Sequence, residues 1–309
     1  MEKLLVFGHQ NPDTDAVTSA ISFAHYLNQM GVEAEAVALG EVNEETDFAL
    51  RHFEADFPRV ITTASNEVSA VALVDHNEFQ QSVSDISNLE VKYVVDHHRI
   101  SNFETANPLY YRAEPVGCTN TIIYKLFKEA EIAIPSQIAG LMVSAIISDT
   151  LLFKSPTCTG EDIKAAQALA ELAELDLEAY GLELLKAGTA LENKSNEALL
   201  NMDAKSFSMG DKIVRVGQVN TVDIDEVLER QKDLEKLMEV TNASEGYDLF
   251  VLMITNIIEN DSKILAVGSG AAKVETAFDV TLKDHTALLE GVVSRKKQVI
   301  PQLTEAYTN

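Results

Sequence analysis

Short apolar runs alternate with amphipathic helical stretches along the first half of the chain. Residues 4–7, 71–74 and 93–95 are nearly continuous apolar runs, the pattern typical of strands buried on both faces of a parallel sheet. Residues 33–39 predict a further strand. Helices are predicted at residues 16–30, 44–53, 118–130, 135–152 and 161–175. This alternation indicates an α/β domain built on a parallel sheet covered by helices.

The same kind of pattern restarts beyond a polar stretch at residues 188–197, which we interpret as a linker because it lacks an apolar stripe. Strands are then predicted at residues 212–219, 249–257 and 263–267, and helices at 223–239, 270–278 and 285–293. A chain of 309 residues is long enough for two ordinary domains. We therefore expect two α/β domains, residues 1–187 and residues 198–309, of which the C-terminal one is smaller.

The composition is that of an acidic protein with compact cores. Hydrophobic residues make up 46% of the chain, and 49 acidic against 24 basic side chains give a net charge of −25. Such a charge repels phosphate backbones and disfavours nucleic-acid binding. No apolar stretch approaches the roughly 20 residues needed to cross a bilayer, so no membrane partner is expected. The chain has two cysteines, Cys118 and Cys158, which are too few for a thiolate zinc cluster and are typical of a reducing compartment. Residues 1–4 show no signal-peptide pattern, so we expect a cytoplasmic location.

Potential metal ligands follow three of the predicted strands at the point where each strand ends. The first strand is followed by His9, the second by Asp75 and His76, and the third by Asp96, His97 and His98. Ligands in open α/β sheets sit beyond the carboxyl ends of the strands, so parallel neighbours would bring these side chains to one edge. Asp13 and Asp15, in the segment GHQNPDTDA, would join the same edge.

Each of these residues also has a simpler interpretation when it is taken alone. Asp13 follows Pro12 in a common turn sequence, where it would serve as a turn or helix-capping residue. Asp75 would cap the next helix, and a lone histidine such as His76 is more often structural than a ligand. The convergence of three such strand ends favours a metal site.

Asp149 adds weight to this interpretation because it lies in the apolar segment LMVSAIISDTLLF, where an ionised carboxylate is costly without a compensating cation. One pocket would then contain about four negative charges, those of Asp13, Asp15, Asp75 and Asp149. Carboxylates so close together must take up protons or bind cations. Imidazole and carboxylate without thiolate suit manganese, iron, cobalt or zinc better than magnesium alone. With two histidines added, six ligands are too many for one ion and predict two metals about 3.5–4 Å apart.

The ordered motifs GHQNPDTDA, VDHN, VVDHH and SRKK make the chain similar to the family II, manganese-dependent inorganic pyrophosphatases of the DHH phosphoesterase superfamily. The similarity runs from His9 to Lys297. It implies an N-terminal parallel-sheet DHH domain, a smaller C-terminal α/β domain of DHHA2 type, and an active site in the cleft between them. It further implies a homodimer formed through the N-terminal domains, and hydrolysis of pyrophosphate to two phosphates by a hydroxide that bridges two metals.

The resemblance also implies how the ligands divide between the two ions. One ion would be held by His9, Asp13 and Asp75, and the other by Asp15, Asp75, His97 and Asp149. Asp75 would therefore bridge them. The ions would be Mn²⁺, two per subunit, with Co²⁺ as a possible substitute and an additional Mg²⁺ or Mn²⁺ arriving with the substrate. In extended backbone, residues two apart such as Asp13 and Asp15 lie on one side, which suits adjacent ions.

The resemblance implies that His98 is the catalytic residue and faces the substrate. It also implies that the phosphates are bound by His98, Lys205, Arg295 and Lys296. Neighbours in a strand point in opposite directions, so His97 and His98 are not expected to bind the same ion. Without the resemblance, SRKK would equally well be a solvated helix C-terminus, where cations are favoured.

Two alternatives compete with this function. A short-chain exopolyphosphatase or another DHH-superfamily phosphoesterase would use the same metal edge on a different substrate. Nuclease members carry a GGGH-like element, which this chain lacks. A metal-binding scaffold without activity is disfavoured, since both the metal ligands and the phosphate-binding residues are complete.

Overall fold

The computed structural model describes residues 3–189, 191 and 193–308. The chain divides into two compact units, the first ending at Gly188 and the second beginning at Thr189. Of the predicted linker 188–197, Ala190 and Glu192 lie outside the described residues. Within the described ranges, no helix has both the length and the apolar character that a membrane crossing requires.

A parallel five-stranded sheet forms the centre of the first unit, with the strand order β2-β1-β3-β4-β5. Its strands are β1 Leu4–Phe7, β2 Ala34–Ala36, β3 Ala70–Val74, β4 Glu90–Asp96 and β5 Tyr110–Ala113. Strands β1 and β3 are buried along their whole length, which is why their sequences are unbroken apolar runs. The predicted parallel sheet is confirmed, but β2 is shorter than predicted and the sequence pattern does not predict β5.

Helices surround this sheet, and α1 packs against both α3 and α4. The helices of the first unit are α1 Thr14–Gln29, α2 Glu44–His52, α3 Thr119–Glu129, α4 Ser136–Thr150, α5 Gly160–Ala173 and α6 Leu177–Thr189. Helix α1 begins two residues before its predicted start, because the Asp13 carboxylate accepts a hydrogen bond from the Ala16 N–H at 3.0 Å and caps it. Asp15 therefore lies in the first turn of α1. The prediction that Asp13 and Asp15 lie on one side of an extended segment is wrong.

The second unit is built on a mixed five-stranded sheet with the order β10-β9-β8-β7-β6, in which only the β7–β8 pair of the described strands is parallel. The strands are β6 Lys205–Met209, β7 Lys212–Thr221, β8 Leu249–Asn256, β9 Asp261–Gly268 and β10 Thr286–Leu289. The helices are α7 Asn196–Asn201, α8 Ile224–Leu228, α9 Gln231–Glu245, α10 Ala271–Phe278 and α11 Ile300–Thr308. Helix α7 begins inside the stretch predicted as a linker.

Two predictions for the second unit are wrong. The single helix predicted at 223–239 is two helices, α8 and α9. The helix predicted at 285–293 contains strand β10 instead, which pairs with β9. Ala287 and Leu289 are buried and Leu288 is exposed, an alternation with the period of a strand. The SRKK segment consequently precedes a helix: a π-helical turn, Arg295–Val299, leads directly into α11.

Candidate metal centre

The carboxyl ends of β1, β3 and β4 lie side by side, because these three strands are parallel neighbours in the sheet. The loops beyond them carry His9, Asp75 and His97. The Asp75 N–H donates to the carbonyl oxygen of Val95 at 3.0 Å, which extends the β3–β4 pairing by one residue. The prediction that these strand ends share one edge of the sheet is confirmed.

His9, Asp13 and Asp75 form one group of potential ligands, with one atom from each lying within 4.8 Å of the others. The Nε2 atom of His9 is 3.5 Å from Asp13 Oδ2 and 3.5 Å from Asp75 Oδ2. The other ring nitrogen, Nδ1, lies 2.8 Å from the carbonyl oxygen of Gln10. A carbonyl only accepts, so Nδ1 carries the proton in the neutral ring and Nε2 has a lone pair directed at the carboxylates.

Asp15, His97 and Asp149 form a second group with the same spacing. The Nε2 atom of His97 lies 3.3 Å from Asp75 Oδ1 and 4.0 Å from Asp149 Oδ2. Asp75 thus touches both groups, since its Oδ2 faces His9 and its Oδ1 faces His97. One carboxylate between two imidazoles is the arrangement that a bridging ligand requires.

The charges of this pocket fit positive ions. Burial raises the pKa of Asp75 well above its ordinary value, and repulsion from Asp15 and Asp13 raises it further. Burial and the charges of Asp15 and Asp75 raise the pKa of Asp149 in the same way. Although burial lowers the pKa of His9, the hydrogen bond that its ring donates to Asp13 and the charge of Asp75 raise it to about 9. The pocket therefore holds a proton strongly where no metal competes for it.

Asp149 gives a second indication, because its Oδ2 atom is buried and accepts no hydrogen bond from any residue that the structure describes. A buried carboxylate oxygen without a donor is costly unless a cation satisfies it. Oxygen and imidazole nitrogen without thiolate form a donor set suited to manganese. The residues present therefore fit a pair of such ions.

Residues at the start of α3 hold two of the carboxylates in place, and sequence reasoning missed them. The Thr119 N–H donates to Asp15 Oδ2 at 2.7 Å, and the Asn120 amide donates to Asp15 Oδ1 at 2.9 Å. The Thr119 hydroxyl donates to Asp75 Oδ1 at 3.1 Å. The positive end of a helix dipole thus supports negative ligands. The polar residues that open the helix predicted at 118–130 were the available signal, but nothing local indicates what they contact.

Glu45 is a second residue that sequence reasoning missed. Its Oε1 atom accepts hydrogen bonds from the hydroxyls of Thr14 and Ser148, both at 2.5 Å. These two residues directly neighbour proposed ligands on α1 and α4. Glu45 therefore ties together two ligand-bearing segments that lie far apart in the sequence, which is why no local pattern reveals it.

His97 and His98 differ in surroundings, but not for the expected reason. Both lie beyond the last residue of β4, and their rings are 4.2 Å apart, so they do not point in opposite directions. The expectation drawn from strand geometry is wrong. What distinguishes them is that the His98 side chain is 52% exposed and that of His97 16%. An Asp75, His97 and His98 group also meets the spacing of a metal site.

Asp96 orients His98. Its Oδ1 atom lies 2.9 Å from the ring Nδ1 and accepts from the His98 N–H at 3.0 Å. The hydrogen bond that the His98 ring donates to Asp96 raises the pKa of His98, against the opposing effect of burial. The neighbouring His76 is buried, with its Nδ1 2.9 Å from the carbonyl oxygen of Val74, and burial lowers its pKa to about 4. This setting agrees with the structural interpretation of His76.

Two of the three predicted phosphate-binding residues of the second unit, Lys205 and Arg295, lie beside the same residue of β7. Lys205 is paired with Val216 in the β6–β7 ladder, and Arg295 Nη1 lies 3.4 Å from the Val216 carbonyl oxygen. Arg295 is largely buried, and its Nη2 donates to Asp203 Oδ1 at 2.7 Å. Lys296 is exposed. The bonds to Asp203 and to the Val216 carbonyl oxygen fix the Arg295 guanidinium.

Comparisons with known proteins agree with the resemblance. The model of the DHH family N-terminal domain matches residues 3–146, and that of the DHHA2 domain matches residues 182–306. A "probable manganese-dependent inorganic pyrophosphatase" of Enterococcus faecalis is 66% identical over 307 residues, covering 99% of this chain and 100% of that protein. The manganese-dependent inorganic pyrophosphatase of Bacillus subtilis is 59% identical over 306 residues, covering 99% of each.

Solved structures give the same result for the fold. The crystal structure of a proposed family II inorganic pyrophosphatase from Methanococcus jannaschii is 40% identical, with a TM-score of 0.62 and coverage of 99% of this chain and 100% of that one. An exopolyphosphatase-related protein from Bacteroides fragilis has a TM-score of 0.51 at 12% identity, covering 99% and 92% of the two chains. The second likeness concerns the fold alone.

Proposed function

The chain belongs to the manganese-dependent, or family II, inorganic pyrophosphatases, and we propose that it hydrolyses pyrophosphate to two phosphates at the site around Asp75. The observation that carries this proposal is the shared position of Asp75. Each of its oxygens faces a different imidazole, and each imidazole has a further carboxylate beside it. Such a pocket suits two cations and a substrate with several negative charges.

We assign His9, Asp13 and Asp75 to one Mn²⁺, and Asp15, Asp75, His97 and Asp149 to the other. The opposite directions of the two Asp75 oxygens support this division. When bound, two such ions supply Lewis-acid activation of water and neutralise charge that develops on the phosphate. Co²⁺ is proposed as a substitute, and an additional Mg²⁺ or Mn²⁺ is proposed to arrive with the substrate.

We assign the transfer of a proton to His98. With Nδ1 held by Asp96, its Nε2 is the ring nitrogen available to a substrate. Asp96 also favours the protonated ring, in which Nε2–H donates to an oxygen of the leaving phosphate. Asn77 donates to the other oxygen of Asp96 at 2.7 Å, and so restrains the carboxylate that orients His98.

Replacing His98 with glutamine is expected to lower turnover by about 10²-fold, the lower end of the range for a general acid, while both Mn²⁺ ions still bind. The amide still donates a hydrogen bond but carries no transferable proton. Metal content of the purified variant and phosphate release are the two measurements. Loss of one ion in His98→Gln would mean that the roles of His97 and His98 are exchanged.

Lys205, Arg295 and Lys296 are proposed to bind the phosphates of the substrate. Arginine matches phosphate oxygens with its planar fork of donors, and lysine adds a point charge that adapts to position. The shared neighbourhood of Lys205 and Arg295 at Val216 supports this assignment. Because all three residues belong to the second unit and all six proposed metal ligands to the first, we propose that both units contribute residues to the active site.

Lys296→Ala is expected to reduce kcat/KM for pyrophosphate by about 10- to 100-fold, since a hydrogen bond to a charged group contributes about 1.5–3 kcal/mol. The Mn²⁺ content should not change. Lys297→Ala is the matched control, because Lys297 is also exposed and directly follows Lys296. If the two variants have equal kcat/KM values, the proposed phosphate-binding role of Lys296 is wrong and SRKK is a solvated segment.

A homodimer formed through the N-terminal units and a cytoplasmic location are further parts of the proposal. The low cysteine content and the family resemblance support them. The net charge of −25 supports the absence of a nucleic-acid partner, and the lack of a long apolar stretch supports the absence of a membrane partner.

The function is tested by measuring phosphate release from pyrophosphate, tripolyphosphate and a dinucleotide, each with and without Mn²⁺. We expect rapid, Mn²⁺-dependent release from pyrophosphate and much slower release from the other two. Faster hydrolysis of tripolyphosphate would favour a short-chain exopolyphosphatase, the main alternative. Full activity in a verified metal-free preparation would contradict the metal-based mechanism.

A further inference from the structure

Asp162 is a fully buried carboxylate on α5 that is not one of the proposed ligands. Its Oδ2 atom accepts from the Gly117 N–H at 2.9 Å, the Thr159 N–H at 2.8 Å and the Thr159 hydroxyl at 2.7 Å. Its Oδ1 atom accepts from the Thr121 hydroxyl at 2.6 Å. These contacts hold the segment 116–121 against the start of α5.

The peptide group between Val116 and Gly117 joins Asp162 to the metal centre. Its N–H donates to Asp162, and its carbonyl oxygen lies 3.0 Å from Nδ1 of His97. Because a carbonyl only accepts, Nδ1 of His97 must carry the proton, and Nε2 is left with a lone pair toward Asp75 and Asp149. A carboxylate on one side of a peptide group polarises it and makes its carbonyl a stronger acceptor.

We propose that Asp162 is a positioning residue of the metal centre, which fixes the tautomer and orientation of His97 through the Val116–Gly117 peptide group. Hydrogen-bond partners of this kind hold ligating histidines in place and raise their basicity. Here the carboxylate acts through one intervening peptide. The inference rests on the proposed role of His97 as a ligand.

Gly117 makes this contact possible. A Cβ atom at this position would lie 3.0 Å from Asp162 Oδ2 and 2.9 Å from Cγ2 of Thr150, so only glycine lets the backbone approach so closely. The two oxygens of Asp162 hold residues 117 and 121, on either side of Thr119. Since Thr119 donates to both Asp15 and Asp75, the same carboxylate also steadies the support of two further ligands.

A purely structural role is the competing explanation, because Asp162 and Thr159 form the capping box of α5. In that cap, Asp162 contacts Thr159. The contacts with Gly117 and Thr121 bring a different segment to the same carboxylate, and they are what the inference concerns. Substitutions at Asp162 and Thr159 therefore separate the two explanations.

The decisive variant is Asp162→Asn in the full-length protein. An amide of the same shape keeps an oxygen for Gly117 and Thr159 and turns its NH₂ toward the Thr121 hydroxyl, which can accept. The negative charge is then removed with little change in packing. We expect the affinity for Mn²⁺, measured by calorimetric titration of the metal-free protein with MnCl₂, to fall about tenfold, the lower end of the range for partners outside the ligand set.

A spectroscopic measurement tests the tautomer directly. The measurement is an NMR spectrum of metal-free protein labelled with ¹⁵N-histidine, in which the His97 signals are assigned by comparison with His97→Gln. In the wild type, these signals should show that the neutral ring is protonated at Nδ1. In Asp162→Asn, the preference for the Nδ1-protonated tautomer should be weaker. Thr159→Ala is the matched control, because it removes the hydroxyl that caps α5 and donates to Asp162 Oδ2, but keeps the charge of Asp162 and its contacts with Gly117 and Thr121. It should lower Tm but leave both the Mn²⁺ affinity and the His97 signals unchanged.

Two results would overturn the inference. One is that Asp162→Asn keeps the wild-type Mn²⁺ affinity and the wild-type His97 signals. The other is that Thr159→Ala loses Mn²⁺ affinity and tautomer preference as much as Asp162→Asn does. The proposed function fails in a different way. If His97→Gln binds two Mn²⁺ ions with wild-type affinity, His97 is not a ligand and the inference falls with that assignment. If His97→Gln loses an ion and Asp162→Asn does not weaken binding, only the inference fails.

Discussion

Replacing Asp75 with asparagine should reduce pyrophosphate hydrolysis by about 10³-fold or more, which corresponds to a loss of about 4 kcal/mol of transition-state stabilisation. Asp75 is 2% exposed and faces both groups of ligands, so its substitution weakens both proposed ion sites at once. An asparagine oxygen can still face one group, but its NH₂ is a donor and cannot bind a cation. Activity and Mn²⁺ stoichiometry should therefore fall together.

The metal-free protein should respond in the opposite direction. In the absence of ions, Asp75 is a buried carboxyl whose pKa is raised by burial and by Asp15 and Asp13, so its ionised form is unfavourable in the fold. Asp75→Asn should leave Tm unchanged or raise it without metal, and reduce the rise in Tm that Mn²⁺ produces. Asp56→Asn, at an exposed position of the same unit, is the control. Two tightly bound Mn²⁺ ions in Asp75→Asn would contradict the bridging role.

The sheet edge that carries the candidate metal centre could be predicted from the sequence, because buried parallel strands leave an unbroken apolar pattern. The runs that became β1, β3 and β4 each end in a potential ligand, and a parallel arrangement then brings the ligands together. What the pattern does not contain is the order of the strands. The adjacency of β1, β3 and β4 depends on long-range pairing, which only the structure reveals.

The contacts that support the ligands could not be predicted, for a related reason. The bond from Asn120 to Asp15 spans 105 positions, and that from Gly117 to Asp162 spans 45. Hydrophobic periodicity describes neighbours within one or two turns and carries no information about such partners. Asp162 in particular is, by its local sequence, an ordinary residue of the first turn of a helix.

The wrong helix at 285–293 had a consequence for function. It placed SRKK at a helix C-terminus, where cations are favoured and need no other explanation. The structure places these residues before α11, at the end of the helix where the dipole disfavours positive charge. The simpler interpretation of SRKK therefore loses its electrostatic basis. A role in binding phosphate accounts for the cluster better than helix stabilisation does.

Removing the second unit should leave a metal-binding protein without pyrophosphatase activity. A fragment ending at Thr189 keeps the complete helix α6 and all six proposed ligands, and its core is formed by its own sheet and helices. We expect two Mn²⁺ ions to bind to it. Its turnover should fall by about 10³-fold or more, because it loses the three cations proposed to bind phosphate, each expected to contribute about 1.5–3 kcal/mol.

The full-length triple variant Lys205→Ala, Arg295→Ala, Lys296→Ala is the matched control, since it removes the same charges and keeps the second unit. If the cations are what the second unit contributes, fragment and triple variant should lose similar amounts of activity and retain the same Mn²⁺ content. A fragment much less active than the triple variant would show that the second unit contributes more than charge, for example by excluding water from the reacting phosphate. Near-normal hydrolysis by the fragment would contradict the divided site, because phosphate binding would then have to come from residues of the first unit.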